Sequence, residues 1–298
     1  MYRLGLDIGG TKINIGVLNK KNQLIATKKL LVSAISNAAK DIKQAVLDLC
    51  NKKEIPFDRF ICCGVGVPGT VSADGKTLIK APNIAVLSPD FATLLEAELG
   101  IPVTMVQDSR AAAWGEYLCG GGKGAKTLIC ITLGTGIGTG LVIDGAIYHG
   151  ALGAAGELGH VPVVENGRPC GCGKRGCMEK YCAGGGLDIT ARELLGDNAT
   201  AHDLFQAARN GNQAAKAEID LAVSRLGNVL VGAVNLLSPD CILFSGGMSE
   251  QTELYLEPLI DYVKVRCYST GKLPRMEKAA LGEFSPLVGA ALIQADAH

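Results

Sequence analysis

GLDIGGTKINIGVL, residues 5–18, reads as an apolar strand, a glycine turn and a second apolar strand. It aligns without gaps over fourteen positions with CITLGTGIGTGLVI, residues 130–143. Each copy runs into a hairpin signal, Asn19-Lys20 in the first and Asp144-Gly145 in the second. Two copies of one supersecondary unit predict two similar lobes facing each other. Around them, strand-like and helix-like segments alternate. Residues 34–51 have apolar positions at helical spacing, and 60–67 is an apolar strand ended by Pro68-Gly69. Residues 91–99, 102–106 and 109–119 read as helix, strand and helix. This is an α/β chain. The expected division is a small lobe at 1–118, completed by a C-terminal helix at 286–298, and a large lobe at 119–285. Glycine-rich CGGGKGAK, 119–126, is the natural hinge.

A chain of 298 residues with 48% hydrophobic side chains has material for two cores. Its formal net charge of +0 gives no electrostatic footprint for nucleic acid. No run of about 18 apolar residues reads as a membrane span. The opening MYRLGLDIGG lacks a signal-peptide pattern, so a cytoplasmic location is expected. Of the eleven cysteines, Cys62, Cys63, Cys130 and Cys241 lie in apolar contexts and read as small buried hydrophobes.

Glycine turns present several backbone N–H groups in one concavity, which suits phosphate oxygens. The first, Asp7-Ile8-Gly9-Gly10-Thr11-Lys12, adds an acid, a hydroxyl and a cation. The second, centred on Gly134, Thr135 and Gly136, adds hydroxyls only. Neither has the GxxxxGK[ST] spacing of a P-loop. Each alone reads equally as a structural hairpin turn, but the pair in register points to ATP held between two lobes. A third glycine pair, Gly246-Gly247 after the strand CILF, reads as an adenosine contact. Asp108 follows a strand and opens a helix. It reads either as a helix N-cap or as the carboxylate that takes the proton of an attacking hydroxyl. Arg110 beyond it reads as a solvated helix residue, as the partner of an acid such as Glu116, or as a contact to phosphate or sugar.

His160, Cys170, Cys172 and Cys177 have the spacing H-x9-C-x-C-x4-C, with glycines 171, 173 and 176 letting the loop fold so that the thiolates converge. One histidine and three cysteines form a closed tetrahedral set of the kind structural Zn2+ prefers. Glu157 and Glu179 bracket this loop, and carboxylates of that kind accept hydrogen bonds from sugar hydroxyls.

Together these segments resemble the ROK family of bacterial sugar kinases and related repressors. The resemblance spans the chain: DIGGTK, GVGVPG (64–69), Pro82-Asn83, LGTGIGTG, GELGH (156–160), CGCGKRGCME (170–179) and SGGM. It implies the two-lobed, actin-like (ribonuclease H-like) ATPase fold with the active site in the cleft, and ATP with Mg2+ as phosphoryl donor. It also implies phosphorylation of a hexose hydroxyl, the 6-OH. By that resemblance Asp108 is the base, Asn83, Glu157, His160 and Glu179 contact the sugar, and Gly9, Gly10, Thr11, Lys12, Gly134, Thr135 and Gly136 surround the phosphates. His160 would then serve zinc and sugar with one ring nitrogen each. A homodimer or homotetramer is implied as well. The base motif departs from the family pattern Asn-Asp-x-Asn-Ala-Ala, carrying Gln107 and Arg110. PNIAVLSPDF looks closer to allose kinases and AAAWGEY to N-acylmannosamine kinases, so glucose, allose and N-acylhexosamines are all candidate substrates. A family repressor would need a winged helix ahead of DIGGTK, for which Asp7 leaves no room. A non-catalytic sugar sensor is opposed by Asp108.

Overall fold

The first strand is apolar almost throughout because both of its faces are covered. The structure, a computed structural model, describes residues 1–81 and 86–293. β1 (Tyr2–Ile8) and β2 (Lys12–Leu18) form the hairpin expected from the glycine turn, and β3 (Leu24–Leu31) extends it. Helix α1 (Ala38–Lys53), β4 (Phe60–Val67), the short β5 (Thr70–Val71) and β6 (Leu78–Lys80), helix α2 (Phe91–Leu99), β7 (Val103–Gln107) and helix α3 (Asp108–Cys119) follow. The main sheet has the order β3-β2-β1-β4-β7, antiparallel across β1, β2 and β3 and parallel across β1, β4 and β7. Helix α1 starts later than its apolar spacing indicated. Asn37 caps it, accepting from the Lys40 amide at 3.2 Å, while Asp41 takes the Ser36 and Asn37 amides.

The chain divides into two compact units, Met1–Lys123 joined by the segment from Glu283, and Gly124–Gly282. In the second unit β8 (Thr127–Leu133), β9 (Ile137–Ile143) and β10 (Ala146–Ile147) lead into a long loop and then helices α4 (Glu179–Cys182), α5 (Gly184–Leu195), α6 (Ala201–Arg209) and α7 (Gln213–Leu237). β11 (Cys241–Ser245), helix α8 (Glu257–Arg266) and β12 (Arg275–Lys278) complete it. Its sheet, β10-β9-β8-β11-β12, repeats the first strand for strand, with the same antiparallel and parallel neighbours. The duplication is real in topology, yet the two hairpins differ in register. Asp7 faces Asn14 across the first, whereas Thr132 faces Gly138 rather than the aligned Thr139 across the second. The second turn is tighter by one residue: Gly134 N–H reaches the Gly136 carbonyl, where Gly9 N–H reaches that of Lys12. A slip of one residue reverses which β9 side chains share a face with those of β8. Helix α7 is long and apolar enough to cross a membrane, but its Ile219, Leu226 and Leu230 are buried in the core of the second unit.

Helix α9 (Ser285–Leu292) returns to the first unit, where it lies over β1 and β4 and against α3. A Cβ on Gly289 would stand 1.7 Å from the Ala111 carbonyl oxygen, so only glycine permits this approach. Trp114 Nε1 donates to the Leu292 carbonyl at 3.3 Å. Of the helix expected at 286–298, residues 294–298 lie outside the described residues. Beside this contact Glu116 is fully buried; its carboxylate accepts from Ser285 Oγ at 2.7 Å and from the Gly121 amide at 2.9 Å.

Candidate active site and metal centre

In the first unit Asp7 stands near the end of β1, Gly9, Gly10 and Thr11 form the turn, and Lys12 opens β2. Asn14, buried and directly across the hairpin, donates Nδ2–H to Asp7 Oδ2 at 3.0 Å. Burial pushes the Asp7 carboxyl above its ordinary value; Asn14 and Lys12 oppose the rise and Glu283 adds to it. Lys12 Nζ lies 3.8 Å from Glu283 Oε2, both side chains being exposed. Asp108 opens α3 directly after β7. Gly66 of β4 pairs with Asp7 on one side and Val106 on the other. Asp7 and Asp108 therefore stand at one carboxyl edge of the parallel strands, two strand spacings or roughly 10 Å apart. Gly66 lies close beneath Asp108, a Cβ there standing 3.8 Å from the Asp108 Cα, an ordinary contact distance. Gln107, not Asp108, is the helix N-cap; Asp108 sits in the first turn with Oδ1 accepting from the Ser109 amide at 2.7 Å. Arg110 is 8% exposed, which corrects its reading as a solvated helix residue. Asn83 lies outside the described residues.

In the second unit the β8–β9 turn carries Gly134, Thr135 and Gly136. The first amides of α5 hold it: Gly184 N–H donates to the Gly134 carbonyl at 2.8 Å and Gly185 N–H to that of Thr135 at 3.0 Å. Gly246 and Gly247 follow β11, and Gly246, at φ 89°, packs against the Leu133 backbone at the same strand ends. The GELGH segment lies flat along β9. Cβ atoms on Gly156 and Gly159 would meet the carbonyl oxygens of Thr139 and Ile137 at 2.5 and 2.3 Å, which explains both glycines.

That placement presents Glu157 and His160. His160 Nε2 is 3.8 Å from Glu157 Oε2, and its Nδ1 is 3.6 Å from Cys170 Sγ. Cys172 Sγ is 3.6 Å from Cys177 Sγ, and the four candidate ligand atoms all lie within 4.8 Å of one another. Zinc bonds of about 2.3 Å to sulfur and about 2.0 Å to nitrogen set tetrahedral ligand atoms roughly 3.5–3.8 Å apart. The donor set and its spacing fit that ion. Burial pushes the Cys170 and Cys177 thiols up. Cys172 is held below its ordinary value: burial opposes this, but the Lys174 amide and hydrogen bonds with Cys170 and Cys177 favour its thiolate. Glu179 joins the cluster to the glycine turn. Cys170 Sγ donates to its Oε1 at 3.0 Å, and a Cβ on Gly136 would stand 3.1 Å from its Oε2.

The structure thus gathers Glu157, His160, Glu179, the three cysteines and the Gly134–Gly136 turn in the second unit, and Asp7 and Asp108 in the first. Two residues were missed. Asn14 had a signal, a lone amide within the apolar strand KINIGVL. Arg168, within the metal loop, had none; its guanidinium binds backbone carbonyls of Lys180 and Gly186, and a carbonyl acceptor leaves no mark in the sequence.

The sequence profile of the ROK family matches residues 3–297. A glucokinase of Streptomyces coelicolor (strain ATCC BAA-471 / A3(2) / M145) is 34% identical over 307 residues, covering 97% of this chain and 96% of that protein. The N-acetylgalactosamine kinase AgaK of Shewanella sp. (strain ANA-3) is 31% identical over 300 residues, covering 97% of this chain and 95% of its own. Among solved structures, a ROK family glucokinase from Streptomyces griseus in complex with glucose and AMPPNP superposes with a TM-score of 0.82 at 31% identity, covering 98% of this chain and 99% of that one.

Proposed function

The chain belongs to the ROK family, and from that premise we propose that it is an ATP-dependent hexose kinase, glucokinase-like, that phosphorylates the sugar 6-hydroxyl. The observation that carries the reading is Glu179, a carboxylate suited to sugar hydroxyls, set against Gly136 of a turn suited to phosphate. Its support from relatives is the glucokinase likeness over 97% of the chain.

In this reading Asp108 accepts the proton of the attacking hydroxyl as its oxygen bonds to the terminal phosphorus and ADP leaves. Asn83, Glu157, His160 and Glu179 orient the sugar. Gly9, Gly10, Thr11 and Lys12, with Gly134, Thr135 and Gly136, hold the phosphates, and Gly246 and Gly247 meet the adenosine. Asp7 would stand toward Mg2+, which supplies neutralisation of phosphate charge when bound. His160, Cys170, Cys172 and Cys177 would hold Zn2+ as a structural tie. With Nδ1 turned to the cysteines, His160 keeps Nε2 toward Glu157 and the sugar. In this reading the protein works in the cytoplasm as a homodimer or homotetramer. Support for self-association is an apolar groove of about 510 Å³ between residues 158–163 and α7, rimmed by Leu236 at 83% exposure.

A second reading, a kinase of N-acetylated hexosamines, is favoured by the likeness to AgaK. One assay decides. ADP release is measured with glucose, allose, mannose, fructose and the N-acetyl derivatives of glucosamine, galactosamine and mannosamine, and the phosphorylated position is read by NMR. Glucose is expected to give the highest kcat/KM. An N-acetylhexosamine in first place selects the second reading, and no sugar-dependent turnover removes both.

A further inference from the structure

We propose that Arg168 is a positioning residue that holds Glu179 and the Gly134–Gly136 turn in mutual register from behind. The proposal rests on the kinase reading above. Arg168 stands two residues before Cys170 and has a side chain only 18% exposed. Its Nη1 donates to the carbonyls of Lys180 at 2.9 Å and Gly186 at 3.0 Å, and to Thr190 Oγ1 at 3.1 Å. Nη2 donates to the same hydroxyl at 3.1 Å and to Glu193 Oε2 at 2.5 Å. The guanidinium also lies over Tyr181, 4.9 Å from the ring centroid, and the Arg168 amide donates to the Tyr181 hydroxyl at 2.6 Å.

The acceptors define the role. Lys180 is the residue after Glu179, in a helix of one turn where the Ala183 amide closes on the Glu179 carbonyl and Arg168 donates to that of Lys180. Gly186 is the third residue of α5, whose first two amides grip the carbonyls of Gly134 and Thr135. One planar fork of donors therefore joins the metal loop, the Glu179 turn and the helix start that grips the glycine turn. The exposed ion pair with Glu193 adds little by itself. Without the fork, the four metal ligands remain in place while Glu179 and the glycine turn lose their common backing. A displacement of about 1 Å among positioning groups is enough to lower transfer about 100-fold.

The test compares the full-length parent with Arg168→Met, which keeps the apolar stem without donors, Arg168→Lys, which keeps the charge without the fork, and Glu193→Gln. Metal content, melting temperature, kcat and KM for glucose and ATP, and calorimetric binding of AMPPNP are measured for each. Arg168→Met is expected to keep the parent's metal content, to lose roughly 10–100-fold in kcat with a smaller change in KM, and to bind AMPPNP more weakly. Arg168→Lys should recover only a minor part, and Glu193→Gln should stay within about twofold. The proposal is overturned if Arg168→Met matches the parent in kcat and AMPPNP affinity. It is equally overturned if the loss merely follows lost metal or lost folded protein, or if Arg168→Lys restores full rate. A parent that phosphorylates no sugar removes the kinase reading instead, and the AMPPNP comparison then decides the fate of Arg168.

Discussion

The Cys170 thiol donates to Glu179 Oε1 at 3.0 Å, so a proposed metal ligand is hydrogen-bonded to a proposed sugar ligand. Metal binding to a thiol expels its proton. Loading the cluster therefore removes this donor and releases an oxygen of Glu179 to accept from a hydroxyl.

Stripping the metal with a chelator, or with Cys172→Ala, is expected to weaken glucose binding about 10-fold or more, with a smaller effect on AMPPNP. Elemental analysis should find one zinc per chain in the parent and none in the variant, and calorimetry gives both affinities. A metal-free protein with the parent's glucose affinity would break the link between the two sites.

Asp108→Asn should lower kcat by about 10²–10⁴-fold while sugar affinity, metal content and melting temperature stay near the parent. The amide keeps the shape of the side chain and its place in the first turn of α3, but it cannot take up the proton. A rate within a few-fold of the parent would take Asp108 out of the mechanism.

Asp7 carries a cost of burial, and the sign of its pH dependence follows. Its folded-state carboxyl is raised above the ordinary 3.8, chiefly by burial. The native state thus binds the proton more tightly than the unfolded chain, and stability falls as pH rises from the ordinary value through the raised one. Above the raised value the penalty is fully present. Asp7→Asn should therefore melt higher than the parent at pH 7, with the gain shrinking as pH falls through the raised value and gone near the ordinary 3.8, while turnover is lost. A variant less stable at pH 7 would contradict this assignment.

Glu116→Ala removes the acceptor of a buried hydroxyl and a backbone amide, Ser285 Oγ and Gly121 N–H. Hydrogen bonds to a charged group are worth about 1.5–3 kcal/mol each, so a loss of about 3 kcal/mol is expected in denaturant titration. Glu116→Gln should lose less, because its amide oxygen retains one of the two. A loss below about 1 kcal/mol for the alanine variant would show that water or a neighbour replaces the carboxylate.

Much of the architecture was legible because its signals are local. Glycine turns between apolar runs mark both hairpins, and the matching segments 5–18 and 130–143 announce two sheets of one topology. Their unequal register was not legible, because a gapless alignment carries no record of which amide closes each turn. The Cys/His set was legible from spacing alone, since a tetrahedral ligand sphere demands close sulfurs on a flexible loop. The role of Glu116 was hidden for the opposite reason. It meets Ser285 across most of the chain's length, and no local pattern marks a buried acid whose partners are a hydroxyl and a turn amide. Arg110 shows the same limit: two residues past an exposed-looking helix start, it is covered by packing that the sequence does not spell out.

Helix α9 also sets an order of events during biosynthesis. The face of β1 and β4 that it covers is translated before the whole second unit, and α9 is translated after it. Gly124–Gly282 is a continuous stretch that can finish folding as it leaves the ribosome. The sheet that holds Asp7 and Asp108 must wait, with Gly5 and Gly64 uncovered, until Leu287, Ala290 and Ala291 arrive. During that interval the nascent chain displays a glycine-lined apolar surface, the kind of transient exposure on which chaperones act.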